Sequence, residues 1–114
     1  LNLITDTNIP QKFKLPKFDG TYYLVTGTAR TEVFNSYHKG MLTDASVIEL
    51  ASGEMLLYVN ARPVYPMANK CEDVRRIYRN AQAMSTEQIA QVTGRDVSQR
   101  ILDALGIDNF EVIA

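Results

Sequence analysis

The side chains of this 114-residue chain that are able to do chemistry form a few small groups. His38 and Cys71, its one histidine and one cysteine, are the material for a nucleophilic pair, since an imidazole beside a thiol favours the thiolate. Cys71 falls in the first turn of an expected helix, where the helix dipole lowers a thiol's pKa. Nothing in the sequence brings the two together, and a surface histidine with a half-buried cysteine is the simpler reading. One His and one Cys do not make a zinc site of the usual spacing. The carboxylates are scattered, with no Asp-x-Asp-x-Asp-Gly loop for calcium. The segments TGTAR at 26–30 and TGRD at 93–96 each hold a single glycine and read as turns rather than phosphate loops. The expectation is a protein that is not an enzyme and takes no cofactor and no metal.

A second group suits recognition. The stretch STEQIAQVTGRDVSQRILDALG at 85–106 reads as two short helices joined at Gly94, the outline of a helix-turn-helix. Ser85 with Gln88 fits a capping box, and Asp96 with Gln99 repeats the pattern. Ile89, Ala90 and Val92 give the first helix an apolar face; Val97, Ile101, Ala104 and Leu105 give the second an apolar stripe. Gly94 and Gly106 stand where left-handed helix ends favour glycine. Arg95, Ser98, Gln99 and Arg100 then fall at the start of the second helix, where Arg suits guanine and Gln suits adenine in the major groove. Arg75, Arg76 and Arg79 are candidates for phosphate contacts. The usual pattern has an apolar residue six positions after the turn glycine; here Arg100 holds that position and Ile101 follows it. The same residues also suit two amphipathic helices packed on a sheet with solvated outer faces.

MSTEQIAQVTGRDVSQRI resembles the helical segments of phage regulatory proteins of the Rha type, which carry a similar I-A-x-x-T-G run. YVNAR at 58–62, followed by YRNAQAMSTEQIA at 78–90, is similar to the KilA-N domain, which places a YxNAT-like strand ahead of helices. The KilA-N tryptophan has no counterpart, since the chain has none, and Arg62 stands where that family has threonine. Each likeness covers under half the chain. Both imply a viral regulatory role with double-stranded DNA as the partner, carried by Arg95, Ser98, Gln99 and Arg100.

Composition sets wider bounds. Twelve basic and thirteen acidic residues leave a net charge of -1, unlike a domain committed to nucleic acid by charge alone. The charge is unevenly placed: Lys12, Lys14 and Lys17 cluster early, and the tail after Arg100 carries only Asp103, Asp108 and Glu111. One cysteine permits no internal disulfide. No apolar run approaches the roughly 18 residues of a membrane span, and LNLITDTNIPQ lacks signal-peptide features. A cytoplasmic protein without a membrane partner is expected. The chain opens on Leu1, as expected of a processed product, a fragment or the ordered part of something longer.

The elements that must position these groups follow from pattern. Residues 1–20 read as an extended arm punctuated by Pro10, Pro16 and Asp19-Gly20, with an edge strand possible over the alternating Lys12-Phe13-Lys14-Leu15. The arm is too apolar for a free tail, so it should lie against this domain's sheet or a neighbouring copy, burying Phe13, Leu15 and Phe18. Residues 22–28 suit a strand; 31–38 fit either a short helix or a strand. Residues 46–50 and 54–60 form a hairpin around Ala51-Ser52-Gly53. The apolar run Met55 to Val59 suits a central strand covered on both faces, and Pro63 and Pro66 close the sheet. Residues 69–83 read as a helix capped by Asn69, with Val74, Ile77, Tyr78 and Ala81 on one face. A last strand is expected near 110–113. The expected fold is α+β: an antiparallel sheet in the N-terminal half, three short helices and a short terminal strand, with 21–114 as a single domain. If the helices only pack, the protein is a virion structural or protein–protein interaction component that self-assembles or binds a protein partner. Its interface would then use the arm's Phe13 and Leu15 and the loop tyrosines Tyr37 and Tyr65.

Overall fold

The computed structural model describes residues 9–17, 19–64, 72–107 and 113. Strands β1 (Gln11–Pro16), β2 (Tyr22–His38), β3 (Met41–Glu49), β4 (Met55–Pro63) and β5 (Val74–Tyr78) form an antiparallel meander in which each is hydrogen-bonded to the next. A 3-10 turn (Ala81–Ala83) and helices α1 (Thr86–Thr93) and α2 (Arg95–Leu105) follow. The architecture is α+β.

The seventeen-residue β2 sets the shape because it changes partner midway. Residues 22–27 pair with β1, in a register running from Gln11↔Gly27 to Pro16↔Tyr22. From Thr28 onward β2 pairs with β3, on its other edge, ending at His38↔Met41. The first half of β2 and all of β1 therefore form a hairpin that folds back over one face of the β3–β4 pair. Gly27 stands at the crossing. A Cβ there would lie 2.5 Å from the Glu49 carbonyl oxygen and 2.7 Å from Ile48 Cγ2, so only glycine lets the two strands pass this closely.

Because successive side chains of a strand point to opposite faces, β3 and β4 feed two cores. Ala45, Val47, Leu57 and Val59 meet Val33, Ala81, Ile89, Ile101, Leu102 and Leu105 beneath the helices. Ile48, Leu56 and Tyr58 face the other way and meet Leu15 and Val25 of the hairpin, with Phe13 and Ile77 packed against them. The apolar run of β4 is thus covered on both faces, as its sequence predicts.

Several expectations need correction. The helix over 69–83 does not form: Val74–Tyr78 is a strand registered on β4 from Ala61↔Val74 to Leu57↔Tyr78, and only Ala81–Ala83 turns, as a 3-10 helix. VRRIY fits both periods, and the unpaired edge of β4, rich in branched and aromatic partners, selects the strand. Residues 69–71 lie outside the described residues. Among the described residues there are two α-helices, against the three expected. Residues 31–38 continue β2, with irregularities between Ala29 and Thr31 and between Val33 and Ser36; Asn35, at φ 56, donates its N–H to Asp44 Oδ1 at 2.8 Å. The Asp96–Gln99 capping box is absent, because Gly94 is the N-cap of α2 and gives no side-chain bond. The expected terminal strand near 110–113 falls largely on residues 108–112, outside the described residues. Residues 11–16 of the arm are a strand of the sheet, so the arm's centre packs on its own chain.

The helical pair is built as its sequence suggests. Ser85 and Gln88 form the reciprocal capping box, with Gln88 N–H donating to Ser85 Oγ at 3.1 Å and Ser85 N–H to Gln88 Oε1 at 2.8 Å. Gly94, at φ 90, ends α1 and opens α2 in a single residue.

Candidate functional site

The four side chains expected to read DNA lie on the exposed start of α2, and each already has a partner within the chain. Arg95 Nη2 meets Glu87 Oε2 at 3.0 Å. Ser98 Oγ donates to the Arg95 carbonyl at 3.1 Å, and Gln99 Nε2 donates to Asp103 Oδ1 at 2.7 Å. Arg100 Nη2 donates to the Glu32 carbonyl of β2 at 3.2 Å. Ile101, next to it, is fully buried. Glu87, Asp96 and Asp103 share this surface, so its charge is mixed. The one-residue turn at Gly94 is also shorter than the three to four residues of a helix-turn-helix.

The three remaining arginines do not form one basic stripe, because they lie on and just past a strand rather than a helix. Arg75 and Ile77 face the hairpin, while Val74, Arg76 and Tyr78 face α1. Arg75 Nη1 donates to the Lys17 carbonyl at 3.0 Å, and its buried Nε has no hydrogen-bond partner among the described residues. Arg76 borders a 340 Å³ depression with His38, Tyr78, Gln91 and Val92. Arg79 forks onto Glu54, with Nε to Oε2 at 2.7 Å and Nη2 to Oε1 at 2.8 Å. The Asn80 N–H adds a third bond to that carboxylate at 2.9 Å. Arg79's hydrogen bonds, then that of Asn80, hold the Glu54 carboxyl down at about 2.

His38 closes the lower end of the helical pair. Its Nε2 lies 3.0 Å from the Gln91 carbonyl oxygen, and its ring packs against Gly94, where a Cβ would sit 3.2 Å from it. Cys71 and Tyr65 lie outside the described residues, so the structure gives neither a place. Among the described residues no group of three His, Cys, Asp or Glu side chains is arranged to hold a metal ion. No helix among them is long and apolar enough to cross a membrane.

A second open surface lies on the other side of the sheet. Where β2 pairs with β1, at 22–27, its opposite edge has no strand partner among the described residues, since β3 joins only from Thr28. Along that edge runs a cleft of about 690 Å³ lined by Tyr23, Leu24, Val25, Leu50, Leu56 and Ile77. Arg79 stands at its rim, and the lining holds no carboxylate. Leu24 is 61% exposed. Lys17 lies over the ring of Tyr23, a lining residue, at 4.4 Å, which places a second cation beside the cleft, and Lys14 lies over the Tyr22 ring at 5.1 Å. Beneath it, buried Tyr58 donates its hydroxyl to the Pro16 carbonyl at 2.8 Å, tying the hairpin down. Burial pushes the Tyr58 phenol above its ordinary pKa.

Of the interface candidates, Phe13 and Leu15 pack into the hairpin-side core, whereas Tyr37 is 60% exposed near the far end of β2. Sequence reasoning missed Leu24, Leu50 and Ile77 because three separate strands or turns bring them together. The one local signal was Tyr22-Tyr23-Leu24-Val25, a run with no polar alternation in a strand that sits at a sheet's margin.

Compared with known proteins, the chain matches no protein-family model, and no curated protein or solved structure matches it.

Proposed function

We propose that this domain is a non-catalytic protein-interaction component that docks an extended segment of a protein partner along the open edge of β2 at 22–26. The observation that carries this reading is the coincidence of a strand edge without a strand partner among the described residues and an apolar cleft. Backbone N–H and C=O groups on such an edge accept an added strand, and a neighbouring apolar cleft takes its side chains. The partner chemistry follows from the lining: apolar side chains, with a carboxylate toward Lys17, since Arg79 is already held by Glu54.

A second reading keeps the viral regulatory role, with α2 as a DNA-reading helix. It is favoured by the exposure of Arg95, Gln99 and Arg100 above a buried Ile101. Their present partners are exposed ion pairs and hydrogen bonds, which contribute little, about 0–1 kcal/mol for an exposed pair, and a phosphate can compete for them.

Fluorescence anisotropy with labelled duplex DNA over a salt series separates the two. The interaction reading expects no saturable binding at low salt. Binding that weakens as salt rises, with sequence preference lost in Arg95→Ala or Gln99→Ala, overturns it in favour of the DNA reader.

A further inference from the structure

On the helical face of the sheet, the core beneath the helices reaches Ala45 on β3 and Val59 on β4 and, among the described residues, goes no further toward the β2–β3 turn. Past them Met41, Thr43, Ala61 and Val74 continue the same face, in a register that sets Thr43 opposite Ala61 and Ala61 opposite Val74. These side chains floor the 340 Å³ depression, and Gln91 and Val92 near the end of α1 wall it. His38 holds that wall in place. A carbonyl only accepts, so the His38 Nε2–H donates to the Gln91 carbonyl at 3.0 Å.

The charge around this apolar floor is of one sign. Arg76 stands on β5, and Lys39 stands in the β2–β3 turn, with β3 and β4 between them. Among the described residues neither side chain has an ion pair or hydrogen bond, and no carboxylate lines the depression. Thr43, only 3% exposed, lines it too, and its hydroxyl likewise has no partner among the described residues. A buried polar group left without a partner calls for one. Lys39 is also an unfavourable choice for its place. His38 pairs with Met41, so Lys39 and Gly40 form a two-residue turn with both φ positive, at 53 and 77. Asparagine or glycine takes the first of these positions with less strain than lysine, and strain of this kind is characteristic of ligand sites.

We propose that the depression binds a small organic carboxylate with an apolar body. The body lies on Met41, Val59, Ala61 and Val74. The planar fork of Arg76 takes the carboxylate, Lys39 adds a second positive charge, and the Thr43 hydroxyl donates to the ligand. The volume is that of a small-molecule site. A phosphate ester fits less well, because it carries more charge and the wall is the C-terminal, negative end of α1. The site lies on the opposite face of the sheet from the cleft beside β2, so it stands or falls apart from the peptide-docking reading.

The test is an NMR titration of the full chain, following backbone amide shifts, with phenylacetate, its neutral counterpart phenylacetamide, and phenyl phosphate. Phenylacetate should give saturable shifts confined to residues 38–43, 59–61, 74–78 and 91–92. Phenylacetamide should bind about tenfold more weakly or worse, and Arg76→Leu should weaken phenylacetate by as much. Lys39→Asn should weaken it several-fold while keeping or raising the melting temperature, since asparagine relieves the turn. A merely structural lysine gives no such split. Lys12→Gln, which removes a cation from β1, should bind as wild type does. Arg76 is exposed, so Arg76→Leu should keep the fold; if its spectrum shows otherwise, the amide and Lys39→Asn decide the matter. The absence of saturable shifts at tens of millimolar phenylacetate overturns the proposal. So does equal affinity for the amide, or an affinity unchanged in Lys39→Asn or in a folded Arg76→Leu. Tighter binding of phenyl phosphate than of phenylacetate overturns the carboxylate as the ligand class.

Discussion

Replacing Gly27 by alanine tests the back-folded hairpin at its tightest point. The added Cβ would stand 2.5 Å from the Glu49 carbonyl oxygen and 2.7 Å from Ile48 Cγ2. Neither neighbour can yield cheaply: one is backbone at the end of β3, and the other belongs to a fully buried isoleucine. Overpacking a core costs about 1–3 kcal/mol, and a backbone contact puts this site at the upper end, about 3 kcal/mol. That is roughly a hundredfold in the folding equilibrium and a fall in melting temperature of about 10 °C or more. Gly53→Ala is the control. At φ 90 it carries backbone strain, but its Cβ would meet nothing within 4 Å, so the cost is about 1–2 kcal/mol. Urea unfolding followed by circular dichroism and tyrosine fluorescence measures both, as the chain has no tryptophan. Gly27→Ala should lose clearly more than Gly53→Ala. Equal losses, or a Gly27→Ala chain within about 0.5 kcal/mol of wild type, refute the crossing of β2 over β3 as described.

The Arg79–Glu54 fork predicts an acid-side effect. Glu54 titrates at about 2, below its ordinary 4.5, so its contribution is full above 4.5 and is lost as pH falls toward 2. Glu54→Gln should flatten the fall in melting temperature across that window. Tyr58→Phe removes the hydroxyl bond to the Pro16 carbonyl and should cost about 1 kcal/mol in urea unfolding. Because burial raises the Tyr58 phenol above 10.0, the stability it adds is full below that value and declines as pH rises through its own pKa; Tyr58→Phe should lack this alkaline decline. Ser85→Ala breaks the capping box and should cost about 1 kcal/mol, with faster amide exchange in the first turn of α1.

What was legible in the sequence was local. The β3–β4 hairpin announces itself in Ala51-Ser52-Gly53, where the Leu50 N–H bonds the Glu54 carbonyl and Gly53 takes the positive φ such a turn needs. The Ser85–Gln88 box and the Gly106 end of α2 are likewise written in adjacent residues. Failures arose where distant chain decides. Val74, Ile77, Tyr78 and Ala81 match a helical face, yet the free edge of β4 draws 74–78 into the sheet. Gly27 reads as a simple turn glycine in TGTAR, because its neighbours Ile48 and Glu49 lie some twenty residues on. The cleft was not legible for the same reason: Leu24, Leu50 and Ile77 share no periodicity.

The change of partner along β2 leaves two half-edges without a strand partner among the described residues, and the chain treats them differently. Beyond residue 28 the edge facing away from β3 is guarded. The strand is irregular at Ala29–Thr31 and Val33–Ser36, and Arg100 of α2 hydrogen-bonds the Glu32 carbonyl. Such irregularity and a covering charged side chain are how sheets discourage an added strand. At 22–26 the opposite half-edge is regular, carries Tyr22, Tyr23 and Leu24 in exposed positions, and borders the cleft. Guarding one half-edge and leaving the other apolar and unguarded makes directional sense if a strand is meant to arrive at the second. Arg100 is then a guard of the sheet as much as a surface residue of α2. Its replacement by alanine should expose the Glu32 edge and promote concentration-dependent association. If light scattering shows Arg100→Ala no more prone to associate than wild type, the guarded edge is an accident of packing and the contrast between the two half-edges loses its meaning.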